Sequence, residues 1–311
     1  MDSLPRRAVD AIHSLSGKHP GFRAVHAKGI VCKGSFRATP EAAGLTRAAH
    51  MQGERVPVTV RFSNGGGNPH LPDYRQDARG MATKFYLPDG SRTDIVAFTL
   101  PRFFVRTPED FVKFTKAGKP LFGNFAPRLP LFIATHREAL PAVRAFLAQE
   151  PPASYATCRY NGIHSFKWLG GDGDERWVRY SWLPEAGEQT LSGGEAKERG
   201  HDYLRDEIAE RLDHGPARFT LQLQLAGRSD PIDDPTARWP EERQAVEAGT
   251  LAVEGLDDER EQGDDILVFD PTRVTDGIET SDDPILHFRS RAYSVSIEER
   301  SGVPRPTELD A

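Results

Sequence analysis

Arg218-Phe-Thr-Leu-Gln-Leu-Gln-Leu-Ala226 alternates apolar and polar residues. A two-residue period puts the apolar set on one side of an extended chain, so the segment is predicted to be a half-buried strand. Such a strand needs a sheet with one face on a core. Residues 21–100 supply more strand-like runs, including Val56-Pro-Val-Thr-Val-Arg-Phe-Ser63, broken by the turn signals Asn64-Gly-Gly-Gly-Asn68 and Pro88-Asp-Gly90. Residues 155–184 return to the same pattern. Together they predict a meandering antiparallel sheet or barrel.

Helical signals surround these runs. Residues 5–16 place Ala8, Ile12 and Leu15 on one side. Residues 107–150 open at Thr107-Pro-Glu-Asp110, an N-cap with a first-turn proline and early acids. Residues 192–213 form a charged helical stretch, and a last helix covers Tyr293. Residues 228–265 are acidic and contain proline, which predicts a solvated connection over the surface. Strands spread along most of the chain without a Gly/Ser linker, so residues 1–311 are expected to form a single domain.

The bulk numbers exclude several classes. The 311 residues are 38% hydrophobic with a net charge of -6, which argues against a general nucleic-acid binder. The opening MDSLPRRAVDAIHSLSG has no apolar h-region, and Leu129-Pro-Leu-Phe-Ile-Ala134 is too short to span a bilayer. With a mean hydropathy of -0.54, a soluble cytoplasmic protein is expected. Cys32 and Cys158 read as free buried thiols, and zinc-ligand spacings are absent. Asn64-Gly-Gly-Gly67 lacks the Lys-Ser/Thr of a phosphate loop and reads as a turn. Asp257-Asp-Glu-Arg-Glu261 reads as a solvated face.

Two separated clusters carry chemistry. Near the C-terminus, Arg289 and Tyr293 are one helical turn apart. A guanidinium beside a phenol favours the phenolate, and tyrosine is one of the few protein ligands of haem iron. Far upstream, His26 lies in the strand-like run Phe22-Arg-Ala-Val-His-Ala-Lys-Gly29. Ser63 offers a hydroxyl that could fix its tautomer. Arg23 and Arg61 flank His26 and Ser63 and suit a ligand bearing carboxylates.

These blocks resemble the haem-dependent catalase family. The matches are Arg23 to Gly29, Val60-Arg-Phe-Ser63, Asp77-Ala-Arg-Gly80 with Lys84-Phe-Tyr86, and Pro101-Arg-Phe-Phe-Val-Arg106. Asn161-Gly-Ile-His-Ser-Phe-Lys167 and Arg289 to Tyr293 follow in the family's order. The resemblance covers roughly residues 20–300. It implies an α+β fold, an antiparallel β-barrel haem-binding core with surrounding helices, from which this chain is expected to depart by lacking the C-terminal helical domain of typical catalases. It implies haem b, with Tyr293 as the iron ligand and His26 as the distal acid–base, hydrogen-bonded by Ser63. Arg23, Arg61 and Arg300 would hold the propionates. Val25, Phe104 and Phe111 would contact the macrocycle, Arg289 would support the ligand, and His164 would stand behind the tyrosine.

One departure matters. The family's distal asparagine falls at Phe98, in Val96-Ala-Phe-Thr-Leu-Pro101. Phenylalanine cannot donate a hydrogen bond to peroxide, though Thr99 is adjacent. This resembles the small catalase-related peroxidases. The implied activity is reduction of hydrogen peroxide or organic hydroperoxides by small organic reductants, with residual catalase activity. A true catalase, a fatty-acid hydroperoxide isomerase or dehydratase, and a haem carrier are the alternatives. No membrane or nucleic-acid partner is expected. A homo-oligomer is expected, a dimer before a tetramer, with the segment Lys119–Pro127 as an apolar mating surface.

Overall fold

The computed structural model describes residues 3–120, 126–257 and 267–301. Within them, the strands are β1 (Gly29–Ala38), β2 (Arg55–Asn64), β3 (Arg79–Tyr86), β4 (Arg92–Phe98), β5 (Tyr160–Asn161), β6 (Phe166–Leu169), β7 (Glu175–Pro184), β8 (Ala217–Leu225), β9 (Ala245–Leu256) and β10 (Ile278–Thr280). They form one antiparallel sheet in the order β10-β6-β7-β5-β4-β3-β2-β1-β9-β8, and β7 also pairs with β8. That last pairing closes the sheet into a barrel, with β6 and β10 as an extension beside β7. Closure leaves no free edge among the barrel strands.

The barrel interior is apolar and aromatic. Phe36, Phe62, Met81, Phe85, Tyr160, Trp182 and Phe219 are all at or near zero exposure. Phe62 stacks on Tyr155 with centroids 5.4 Å apart, and Phe36 meets Trp182 edge-on at 6.0 Å. From Val58 to Asn64 every residue of β2 is buried, so both faces of this strand are covered. A helical layer covers the outer face.

That layer is built from α1 (Leu4–Ser16), α3 (Pro108–Ala117) and α8 (Pro284–Ser301). Ala8, Ala11, Val112 and Phe288 pack together, as do Val9, Ile12, Ala24 and Val295. Arg6 and Lys18 pair with Glu299 at 3.1 and 2.8 Å, fastening α1 to the end of α8. The remaining helices are α2 (Pro40–Leu45), α4 (Arg128–Thr135), α5 (Ala139–Leu147), α6 (Gly193–Glu198) and α7 (Tyr203–His214). The predicted cap at Thr107 is present: its Oγ1 accepts the Asp110 N–H at 3.2 Å, with Pro108 in the first turn. Instead of continuous helix, residues 107–150 hold the separate helices α3, α4 and α5.

One expectation is overturned. The stretch 228–265 is not only a surface connection, because β9 occupies Ala245–Leu256 and pairs with both β1 and β8. Its acids masked the pattern: Glu247 and Glu254 point outward while Ala248, Leu251 and Val253 are buried. Gly249 suits the strand because a Cβ there would lie 2.4 Å from Phe36 Cζ. Residues 258–261 of the acidic run and 121–125 of the Lys119–Pro127 segment lie outside the described residues. Cys32 and Cys158 are buried and free. No helix among the described residues is long and apolar enough to cross a membrane.

Candidate active site

Strand register builds one wall of the site. Ser63 pairs with Gly29 on one side and Gly80 on the other, and Gly80 pairs with Phe98, which pairs with Asn161. One step along, Val31, Arg61, Ala82 and Val96 form the next row. Residues in register project to the same face, here the outer face of the barrel. The sequence positions Arg61, Ser63, Gly80 and Phe98 thereby come together.

His26 stands over this wall. Its Nδ1 lies 3.0 Å from Ser63 Oγ. A hydrogen bond with the Asn64 backbone also acts on the ring. The expectation that His26 lies in a strand or at a strand end is corrected. β1 begins only at Gly29, and His26 has a φ of 53°, the left-handed region. The His26 pKa is lowered to about 3, first by burial of the ring and then by repulsion from Arg61, Arg289 and Arg23. The imidazole is therefore neutral across the physiological range. Arg23 donates to the Leu267 carbonyl at 2.6 Å, and Arg61 donates to the Ala27 carbonyl at 3.4 Å.

Helix α8 supplies the second cluster. Arg289 Nε donates to the Tyr293 hydroxyl oxygen at 2.9 Å, as the one-turn spacing predicts. Arg289 Nη1 lies 3.1 Å from His164 Nε2. A guanidinium only donates, so Nε2 accepts and the His164 proton resides on Nδ1. That Nδ1 donates to Asp283 Oδ2 at 2.6 Å. Burial lowers the His164 pKa, with Asp283 opposing, which agrees with the neutral tautomer. Asp283 Oδ1 accepts the Ile285 N–H at 2.8 Å, so the same carboxylate caps the start of α8. Sequence reasoning missed Asp283, although Asp before Pro284 is an N-terminal signal.

The two clusters are joined directly. The Ala24 N–H donates to Ser296 Oγ at 3.2 Å, two residues before His26 and three after Tyr293. Val25 packs beside Val9, Val295 and Phe111. Phe104 stacks on Phe114 at 4.8 Å, and Phe111 on Phe103 at 5.9 Å, forming an aromatic wall. Burial lowers the Arg300 pKa, and no carboxylate pairs with it among the described residues. Thr99 Oγ1 accepts from the Arg79 N–H at 3.0 Å and from Gln149 Nε2 at 2.8 Å, so its acceptor sites are occupied.

A cavity of about 540 Å³ opens beside Thr99 and Asn161, with Arg79, Arg179 and Trp239 in its walls. Neither His26 nor Tyr293 borders it.

A family model described as Catalase matches residues 9–306. A catalase-related peroxidase of Mycolicibacterium paratuberculosis is 48% identical over 305 residues, 97% of this chain and 96% of its own. One from Synechococcus elongatus is 34% identical over 301 residues, 96% of this chain and 88% of its own. The crystal structure of a fungal catalase superposes with a TM-score of 0.81 over 92% of this chain and 61% of that one, at 24% identity. That likeness concerns the backbone, and the barrel closed by β7 and β8 agrees with it. The chain belongs to the catalase family.

Proposed function

We propose that this chain is a haem-dependent peroxidase that reduces hydrogen peroxide, or organic hydroperoxides, with small organic reductants. The observation that carries the reading is the pair of clusters: an imidazole held neutral beside Ser63, and a phenol bound by a guanidinium. The donor set fits haem b. Tyr293 would ligate the iron. Arg23, Arg61 and the carboxylate-free Arg300 would hold the propionates, with Val25, Phe104 and Phe111 against the macrocycle. Bound there, the iron would supply the redox chemistry that breaks the O–O bond.

The chain's own residues supply proton handling and charge. With Nδ1–H donated to Ser63 Oγ, His26 Nε2 is free to accept a proton from an incoming hydroperoxide. The same atom then delivers it to the departing oxygen. The folded pKa near 3 keeps Nε2 unprotonated when substrate arrives. Arg289 keeps positive charge against the Tyr293 oxygen, and His164 with Asp283 fixes the guanidinium's direction. Phe98 occupies the same register row as Ser63 and offers no hydrogen bond to a second peroxide. Loss of one positioned donor costs about 100- to 1000-fold. Thr99 next to it accepts from Arg79 and Gln149, which leaves its O–H as its one group for donation.

Oxygen release and oxidation of a phenolic dye, followed on one haem-loaded sample, test the reading. Clear dye turnover with modest oxygen release supports it. Rapid oxygen evolution without dye oxidation refutes it. The assembly we propose is a homodimer, since two-fold pairs are the commonest closed oligomers. Light scattering behind a sizing column checks this, and a stable tetramer at low concentration would count against it.

A further inference from the structure

His26 is held in a backbone conformation that a non-glycine residue adopts only at a cost. It is the one non-glycine residue with positive φ among the described residues. Two hydrogen bonds fix it there. The His26 N–H donates to the Gly65 carbonyl at 3.2 Å, and the Ala27 N–H to the Gly66 carbonyl at 3.1 Å. The three-glycine loop after β2 is thus the clamp on the imidazole's backbone.

The loop has its own anchor. The Gly66 N–H donates to Asp77 Oδ2 at 2.8 Å, and the Gly65 N–H to the Ala78 carbonyl at 2.7 Å. The fit is close on both sides. A Cβ on Gly65 would stand 2.9 Å from Asp77 Oδ1, and one on Gly67 would stand 2.2 Å from the Ala24 carbonyl oxygen. Asp77 is enclosed enough that burial raises its pKa, opposed by Arg79 and by the loop's amides. The nearest cation, Arg79 Nη1, is 3.9 Å away, and its guanidinium donates to the carbonyls of Asp77, Asp73 and Arg75. The carboxylate's hydrogen bond is therefore to the loop and not to the arginine.

We infer that Asp77 is a positioning residue for His26: its carboxylate holds Gly65–Gly66, and those carbonyls hold the His26 and Ala27 amides. The chain of contacts runs from Asp77 Oδ2 to the Gly66 amide and from the Gly66 and Gly65 carbonyls to the imidazole's backbone. Asp77 thus acts on the ring through the loop. The inference rests on the reading of His26 as the acid–base, but its structural half does not.

The test uses Asp77→Ala, Asp77→Asn and Gly65→Ala. In the haem-free chain, hydrogen exchange read by mass spectrometry should speed up at residues 26–27 and 65–66 in Asp77→Ala, with other protected segments unchanged. Asp77→Asn keeps an oxygen acceptor for the Gly66 N–H and should restore protection. In the haem-loaded enzyme, Asp77→Ala should slow the reaction with peroxide about 10- to 100-fold at unchanged haem content, the size expected for a displaced reacting group. If Asp77→Ala fails to fold, Gly65→Ala carries the test, because its methyl must displace the same carboxylate. Unchanged exchange at 26–27 in the folded variants overturns the inference. Equal loosening in Asp77→Asn also overturns it, since charge and not the acceptor would then hold the loop. If His26→Ala reacts with peroxide at the parent rate, the acid–base reading fails instead, and the exchange result still decides the positioning.

Discussion

Gly80 leaves the space that the His26 ring occupies. A Cβ built on Gly80 would lie 2.8 Å from both Nδ1 and Cε1 of the imidazole, and 2.8 Å from Ser63 Oγ. The strand position beneath the ring thus has to lack a side chain. Gly80→Ala should push the imidazole off Ser63. We expect a loss of about 100-fold in the rate of reaction with peroxide, the cost of roughly 1 Å of misplacement. Stopped-flow absorbance at matched haem content measures it, and a parent-like rate would show that the ring tolerates the methyl.

Much of this site is legible in the sequence, and the remainder is not, for identifiable reasons. Arg289 and Tyr293 are four apart on a helix, so local geometry alone brings them together. The strict alternation of β8 reads directly as a strand. The meeting of Ser63, Gly80 and Phe98 depends on register between β2, β3 and β4, which periodicity does not fix. His26 looks like a strand residue because its neighbours are apolar, yet hydrogen bonds from a distant loop override that preference. β9 was hidden by Glu247 and Glu254, whose outward direction costs nothing in a strand but reads as solvated connection.

Tyr293→Phe should remove the proposed iron ligand and leave the fold intact. Titration with haemin should then show weaker uptake and a changed ferric spectrum. Full occupancy with the parent spectrum would sink the ligand assignment.

Asp283 has two tasks, capping α8 and orienting His164. Asp283→Ala should lower stability by about 1–2 kcal/mol from the cap alone. It should also release Arg289 from its fixed direction, because His164 loses the acceptor for its Nδ1–H. Asp283→Asn retains an oxygen for the cap and separates the two effects. Denaturant melts of both variants, beside their haem spectra, check this. If both variants keep the parent spectrum, the carboxylate is not orienting the histidine.

Acid should destabilise the protein through its buried histidines. His50 is 1% exposed, its Nδ1 has no partner, and burial lowers its pKa to about 3. A histidine whose folded pKa lies below its unfolded value of about 6.5 binds a proton in the unfolded chain first. Stability is therefore intact above pH ~6.5 and falls as pH drops toward 3, by at most ~1.4 kcal/mol per pH unit for each such group. His26 acts in the same window. His50→Leu should abolish its share, about 2 kcal/mol between pH 7 and pH 5. Urea denaturation at the two pH values gives the difference, and an identical pH dependence in the variant would refute the assignment.

Phe98 is the residue on which the balance of the two activities should turn. It sits in the register row of Ser63 and Gly80, while Asn161, its other neighbour, directs Nδ2 toward the carbonyls of Phe98 and Thr99 at 3.5 and 3.4 Å. The wall beside His26 therefore presents an apolar ring where a peroxide would need a donor. Phe98→Asn introduces that donor without altering the strand pairing. Oxygen evolution should rise about 10-fold or more, below the limit of ~1000-fold for one positioned donor. Oxidation of bulky phenols should fall, since an apolar surface favourable to such reductants is lost. Both rates can be read from one preparation. Unchanged oxygen evolution in a fully loaded, folded variant would mean that position 98 does not set the balance.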